Sequence, residues 1–233
     1  MGWQSELVAD VRDRATRSGA VAELWLLGSL AGEPAAVDEW SDVDLGLVLT
    51  APPRLADLVD GEVWAHGGYD DDHGQVVRLM LADGRRLDLS VGPPEHFGAR
   101  EPRQRLLSGS GSYHPAARLR LEPPTDPTAN EVRFLLAHAR AKLGRKDRLI
   151  AGHLALEVAR TCLVEAMLLR DRDTGTTIHR QGTDRDDVVE TLWAVLDDPP
   201  SQELLDDLAV LFDRLHTELE PDYRPDWRGL SLP

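Results

Sequence analysis

Two aspartates, Asp42 and Asp44, stand in the segment Trp40-Ser-Asp-Val-Asp-Leu-Gly-Leu-Val-Leu. Read as a strand, the segment alternates faces. Both carboxylates then project to one side, while Val43, Leu45, Leu47 and Leu49 point to a core on the other. Like charges on one face repel and add no stability by themselves. They become favourable around a hard dication, and magnesium takes one or two carboxylates plus substrate phosphate oxygens. Upstream, the apolar run Ala22 to Leu27 stops at Gly28-Ser29. Glycine lets backbone approach a ligand closely, the amides after it can hold phosphate, and the Ser29 hydroxyl is an added donor. A third acid would complete a site for two ions that stabilise both attacking and leaving oxygens. In Arg86-Leu-Asp-Leu-Ser-Val, alternation sets Arg86, Asp88 and Ser90 on one face, so Asp88 is the third candidate ligand. The competing reading is an exposed acidic turn on a solvated strand edge.

These residues need a sheet to position them. Residues 5 to 18 carry Leu7, Val8, Val11 and Ala15 at helical spacing, and Gly19 ends the run. Strands are expected at Ala22–Leu27 and Val43–Leu49, then a short helix from Pro53 to Val59. A hairpin follows, Gln75–Leu81 and Arg86–Val91 around the turn Asp83-Gly84. The prolines of Glu122-Pro-Pro-Thr-Asp-Pro block both helix and ladder and mark the best boundary. Beyond it only helical patterns remain: Asn130–Leu143, His153–Arg170, Asp187–Leu196 and Gln202–Leu219. The expected organisation is α+β, a catalytic domain over 1–121 and a helical domain over 122–233 that contributes to the substrate cleft.

The ordered set Gly28, Ser29, Ser41, Asp42, Asp44 and Asp88 resembles the DNA polymerase β-like nucleotidyltransferase superfamily. With a helical half following, the chain is similar to the antibiotic nucleotidyltransferases that modify aminoglycosides and lincosamides. The resemblance implies a mixed β-sheet with flanking helices followed by a C-terminal helical bundle. It implies transfer of a nucleoside monophosphate, AMP first, from ATP or another NTP to a hydroxyl of a small acceptor, with two magnesium ions and release of pyrophosphate. Gly28, Ser29 and Ser41 would then serve the nucleotide. The alternative role is a protein-modifying AMP transferase that acts as the antitoxin of a helical nuclease toxin; such minimal proteins lack a long helical half.

Signals in the helical half are weaker. Glu131, Leu135, His138, Lys142 and Arg145 recur along one face of the Asn130 helix. By the same resemblance, Lys142 would neutralise triphosphate charge and His138 would take the acceptor's proton; otherwise they form a solvated stripe. Glu165 lies in the apolar stripe Leu154, Val158, Cys162 and Leu169, either as a site residue or paired with an arginine inside the bundle. Glu157 faces the cleft in the site reading, and His179 and Arg180 sit in a polar loop that is either a connector or a substrate contact. Cys162, the single cysteine, reads as a small core residue.

Composition narrows the partners. A formal charge of −15 argues against nucleic acid; it suits a cationic acceptor, such as an antibiotic, or else simply keeps the protein in solution. No apolar run approaches membrane-spanning length and the N-terminal segment is no signal peptide, so a cytoplasmic protein is expected. Acceptor identity, the base of the NTP and oligomeric state leave no mark in the sequence.

Overall fold

The computed structural model describes residues 2–32, 37–72, 74–109, 111–178, 181–196 and 199–231. The fold is α+β. Helix α1 (Trp3–Ser18) leads into β1 (Val21–Leu27), the single-turn α2 (Gly28–Ala31) and β2 (Val43–Leu49). Strands β3 (Val63–Asp71), β4 (Gly74–Leu81) and β5 (Arg86–Val91), the short α3 (Pro94–Gly98) and β6 (Arg103–Ser108) follow. The C-terminal region is helical: α4 (Pro127–Gly144), α5 (Arg148–Thr174), α6 (Asp187–Leu196) and α7 (Gln202–Leu219).

The six strands form one mixed sheet in the order β3-β4-β5-β2-β1-β6. Strands β2 and β5 pair in parallel and every other neighbour is antiparallel. One face is closed by α1, whose Leu7, Val11 and Ala15 pack with Leu24, Leu45, Leu47, Leu79 and Leu89 in the main core. Alternation along β2 sends Asp44, Gly46 and Val48 to the other face. There Phe97 of α3 packs over Val48, Trp25 and Leu27. Gly46 exists because Phe97 lies on it: a Cβ at Gly46 would meet the ring at 2.6 Å.

The expected strands and the Asp83-Gly84 turn are present, with Gly84 at φ 85° and its amide bonded to the Leu81 carbonyl. The helix expected from Pro53 to Val59 narrows to a 3-10 turn over Leu55–Asp57. Three elements were not anticipated: β3, α3 and β6. Strand β3 carries two glycines and an acidic end that dilute its pattern. Strand β6 is a charged edge strand with no fully buried residue, a composition that protects an exposed edge.

The chain divides into two compact units, one of Met1–Glu131 with Ser231–Pro233 and one of Val132–Leu230. In the second, α5 packs along α7. Alanines 151, 155, 159 and 166 line the buried stripe of α5, and small side chains there leave room for the leucines of α7. Asp147 and Ser201 cap the two helices through bonds from the Ile150 and Leu204 amides. Among the described residues, no helix is long and apolar enough to cross a membrane.

Replacing Gly46 with Ala should displace Phe97 and destabilise the protein by about 1–3 kcal/mol, the usual cost of overpacking a core. Urea unfolding should show a lower midpoint at unchanged m-value; an unmoved midpoint would show that the α3 cover is not part of the folded core.

Candidate metal centre

Asp42, Asp44 and Asp88 are brought together. One oxygen from each lies within 4.8 Å of the others, and all three residues are half-buried. Two features of the sheet do this. Parallel pairing of β2 with β5 sets Asp44 directly beside Asp88. On its other side Asp44 is opposite Leu27, the last residue of β1, after which the chain turns at Gly28. Asp42 enters from the loop just before β2, one alternation step from Asp44.

Gly28 is required twice. Its φ of 64° lies in the left-handed region, which costs a residue with Cβ roughly 1–2 kcal/mol. A Cβ there would also stand inside contact distance of Asp44 Oδ2. The carboxylate therefore occupies the space that the missing side chain leaves. Ser29 follows at the second position of α2 and is half-buried.

Ser41 has a different employment from a nucleotide contact. It is fully buried; its hydroxyl donates to Asp38 Oδ1 at 2.8 Å and accepts from the Asp38 amide at 3.0 Å. The turn thus closed delivers Asp42 to the site. From α1, Gln4 Nε2 donates to the Asp38 carbonyl at 3.0 Å. Buried Arg86 reaches the Glu39 carbonyl at 3.5 Å and lies over the Trp3 ring.

Sequence reasoning overlooked Arg78. It is the cross-strand partner of Asp88 on β4, and its Nε lies 3.2 Å from Asp88 Oδ2. The signal was present: alternation between the buried Val77 and Leu79 puts Arg78 on the polar face, and the Asp83-Gly84 turn registers it against Asp88.

The donor set fits magnesium: three hard carboxylate oxygens, crowded on one face, spaced for one or two ions to bridge. No family model and no curated protein matches the chain. Seven chains among the solved structures do. One is an aminoglycoside 6-adenyltransferase from Bacillus subtilis, 13% identical over 98% of this chain and 95% of that one, with a TM-score of 0.33.

The remaining candidates belong to the helical unit. His138 and Lys142 share one face of α4, half-buried, and the His138 ring meets Phe134 edge-on at 5.5 Å. Glu157 pairs with Arg160 at 3.1 Å. Glu165 is buried with a partner that is histidine rather than arginine: Oε1 lies 2.5 Å from His216 Nδ1, each side chain 4% exposed. His216 in turn stacks on Phe212 and meets Tyr223 edge-on. Beside this pair, burial and the Glu165 charge push the Cys162 thiol up to about 12, which removes it as a nucleophile. His179 and Arg180 lie outside the described residues.

Gly28→Ala should lose stability and disturb Asp44 at once. Titration with manganese, a spectroscopic stand-in for magnesium, is expected to show affinity reduced at least tenfold, because disturbing the groups that orient a metal ligand typically costs 10- to 100-fold. Wild-type affinity in a folded Gly28→Ala protein would show that Asp44 is not held by the space this glycine leaves.

Proposed function

We propose that the protein is a magnesium-dependent nucleotidyltransferase that moves a nucleoside monophosphate, AMP first, from an NTP to a hydroxyl of a small acceptor. One observation carries the proposal: three carboxylates from separate segments converge beside a glycine whose Cβ position the Asp44 carboxylate occupies. Carboxylates held together repel unless a cation lies among them, and the order of the segments resembles that of the nucleotidyltransferase superfamily.

In this reading Asp42, Asp44 and Asp88 hold the metal, which when bound offsets charge on the triphosphate and orients it. Gly28 and Ser29 border the phosphates, the glycine by leaving backbone accessible and the serine through its hydroxyl. The acceptor oxygen attacks the α-phosphorus. The bond from that phosphorus to the bridging oxygen breaks, and pyrophosphate leaves with the electron pair. Asp88 accepts the hydroxyl proton. Most of the rate enhancement comes from positioning and electrostatic stabilisation, as in phosphoryl transfer generally. Glu165 we assign to the bundle interior, since its carboxylate is engaged with His216. The net charge of −15 supports a cationic acceptor by long-range attraction, which places hydroxylated, amine-bearing antibiotics first in a screen.

Pyrophosphate release from ATP and magnesium, with a panel of such antibiotics, tests the activity. Asp44→Asn should cut turnover at least 100-fold, the scale of removing one electrostatic contact to the transition state. Magnesium with ATP should raise the melting temperature of the wild type through mass action and leave that of the Asn variant unmoved. An equal response in both proteins would place the metal elsewhere and sink the proposal.

A further inference from the structure

Arg78 is a charged group beside the carboxylates to which the chemistry above gives no part. Cross-strand pairing sets Arg78 against Asp88, and Asp88 against Asp44, so a cation and two carboxylates form one row across β4, β5 and β2. The guanidinium Nε is 3.2 Å from Asp88 Oδ2. The Arg78 side chain is 43% exposed and that of Asp88 20%. The cation is thus the more accessible partner, on the solvent side of the carboxylate.

A guanidinium keeps its charge at any pH at which the protein is folded. Next to Asp88 Oδ2 it lowers the negative potential that draws a divalent cation, so it competes with a metal for that carboxylate. A triphosphate changes the balance, because its oxygens accept charge-assisted, bidentate bonds from arginine as well as a carboxylate does.

We propose that Arg78 is the metal-free counter-ion of Asp88 and makes metal loading depend on the nucleotide. When the NTP arrives, Arg78 passes from Asp88 to a phosphate oxygen, and Asp88 is freed for the metal. The proposal rests on the reading of the triad as a metal centre. Coupling of this kind is reciprocal: metal must tighten nucleotide binding by the same factor. It also makes Arg78 a positioning residue, acting on the metal through Asp88.

The test is a manganese titration of wild type and Arg78→Met, each with and without a non-hydrolysable ATP analogue. Without nucleotide, the Met variant should bind manganese roughly tenfold more tightly, within the usual range for coupled sites. The gain in affinity on adding the analogue should be smaller in the variant than in wild type. Arg78→Gln serves as a second neutral variant if the Met protein does not fold. Equal or weaker affinity in the neutral variant without nucleotide overturns the role of Arg78 and leaves the metal centre standing. A wild type that takes no manganese even with the analogue overturns the metal centre, and this proposal with it.

Discussion

Three carboxylates whose oxygens lie within 4.8 Å of one another repel, and the rest of the sheet unit is arranged to hold them there. Two unit charges about 4 Å apart near a protein surface interact by a few kcal/mol, less where water and salt screen them. The repulsion is countered by elements that cannot move independently. Asp44 and Asp88 are fixed by parallel register, with Leu45 and Leu89 as the next residues of the same ladders, both fully buried in the main core. Separating the carboxylates would require β2 and β5 to slip, and a slip of one residue would turn those leucines to the wrong face. The hydrophobic core under the sheet is therefore what makes the charged face possible.

The part of this that was legible in the sequence is the part set by local rules. Period-two alternation on β2 and β5 picked the sides of Asp44 and Asp88, and the Asp83-Gly84 turn fixed one hairpin. Parallel pairing of β2 with β5 was not legible, because the two strands are joined through β3 and β4 and no local pattern records which strands become neighbours. Gly28 was read as a phosphate approach; its contact with the Asp44 position depends on β1 ending opposite Asp44, again a matter of register. Ser41 entered through the resemblance as a nucleotide contact; that its hydroxyl closes the turn that aims Asp42 was not legible, because the bond to Asp38 appears only in the fold. Glu165 was legible as a buried acid needing a partner, but the partner lies on α7, 51 positions along the chain.

That pair illustrates a different use of charge in the helical unit. Glu165 and His216 are buried together, surrounded by Phe212, Tyr223 and Cys162. Removing water from an acid is costly, and a hydrogen-bonded imidazole compensates only when its geometry is held. Here Phe212 stacks on the imidazole at 4.7 Å while Tyr223 fixes its edge, and Tyr223 and Trp227 are both tied to Asp213 by hydrogen bonds of 2.6 and 2.8 Å. The segment after α7 is thereby fastened to its own helix, and the buried acid fixes the register of α5 against α7. Polar groups specify an arrangement in both units; only in the sheet unit are they left crowded and half-open to solvent.

The two units use charge differently. In the bundle the buried Glu165 meets His216, a complementary group within the fold. On the sheet, Asp44 faces Asp88 on one flank and the bare Cα of Gly28 on the other, and the cation supplied by Arg78 is offered to Asp88. A sheet selected for stability alone would place an apolar or oppositely charged residue beside Asp44 on β5, since neighbouring like charges destabilise. Asp88 stands there instead. Carboxylates that repel one another gain most from a cation placed between them, so the electrostatic term that weakens the free protein becomes differential affinity for a cation-loaded one.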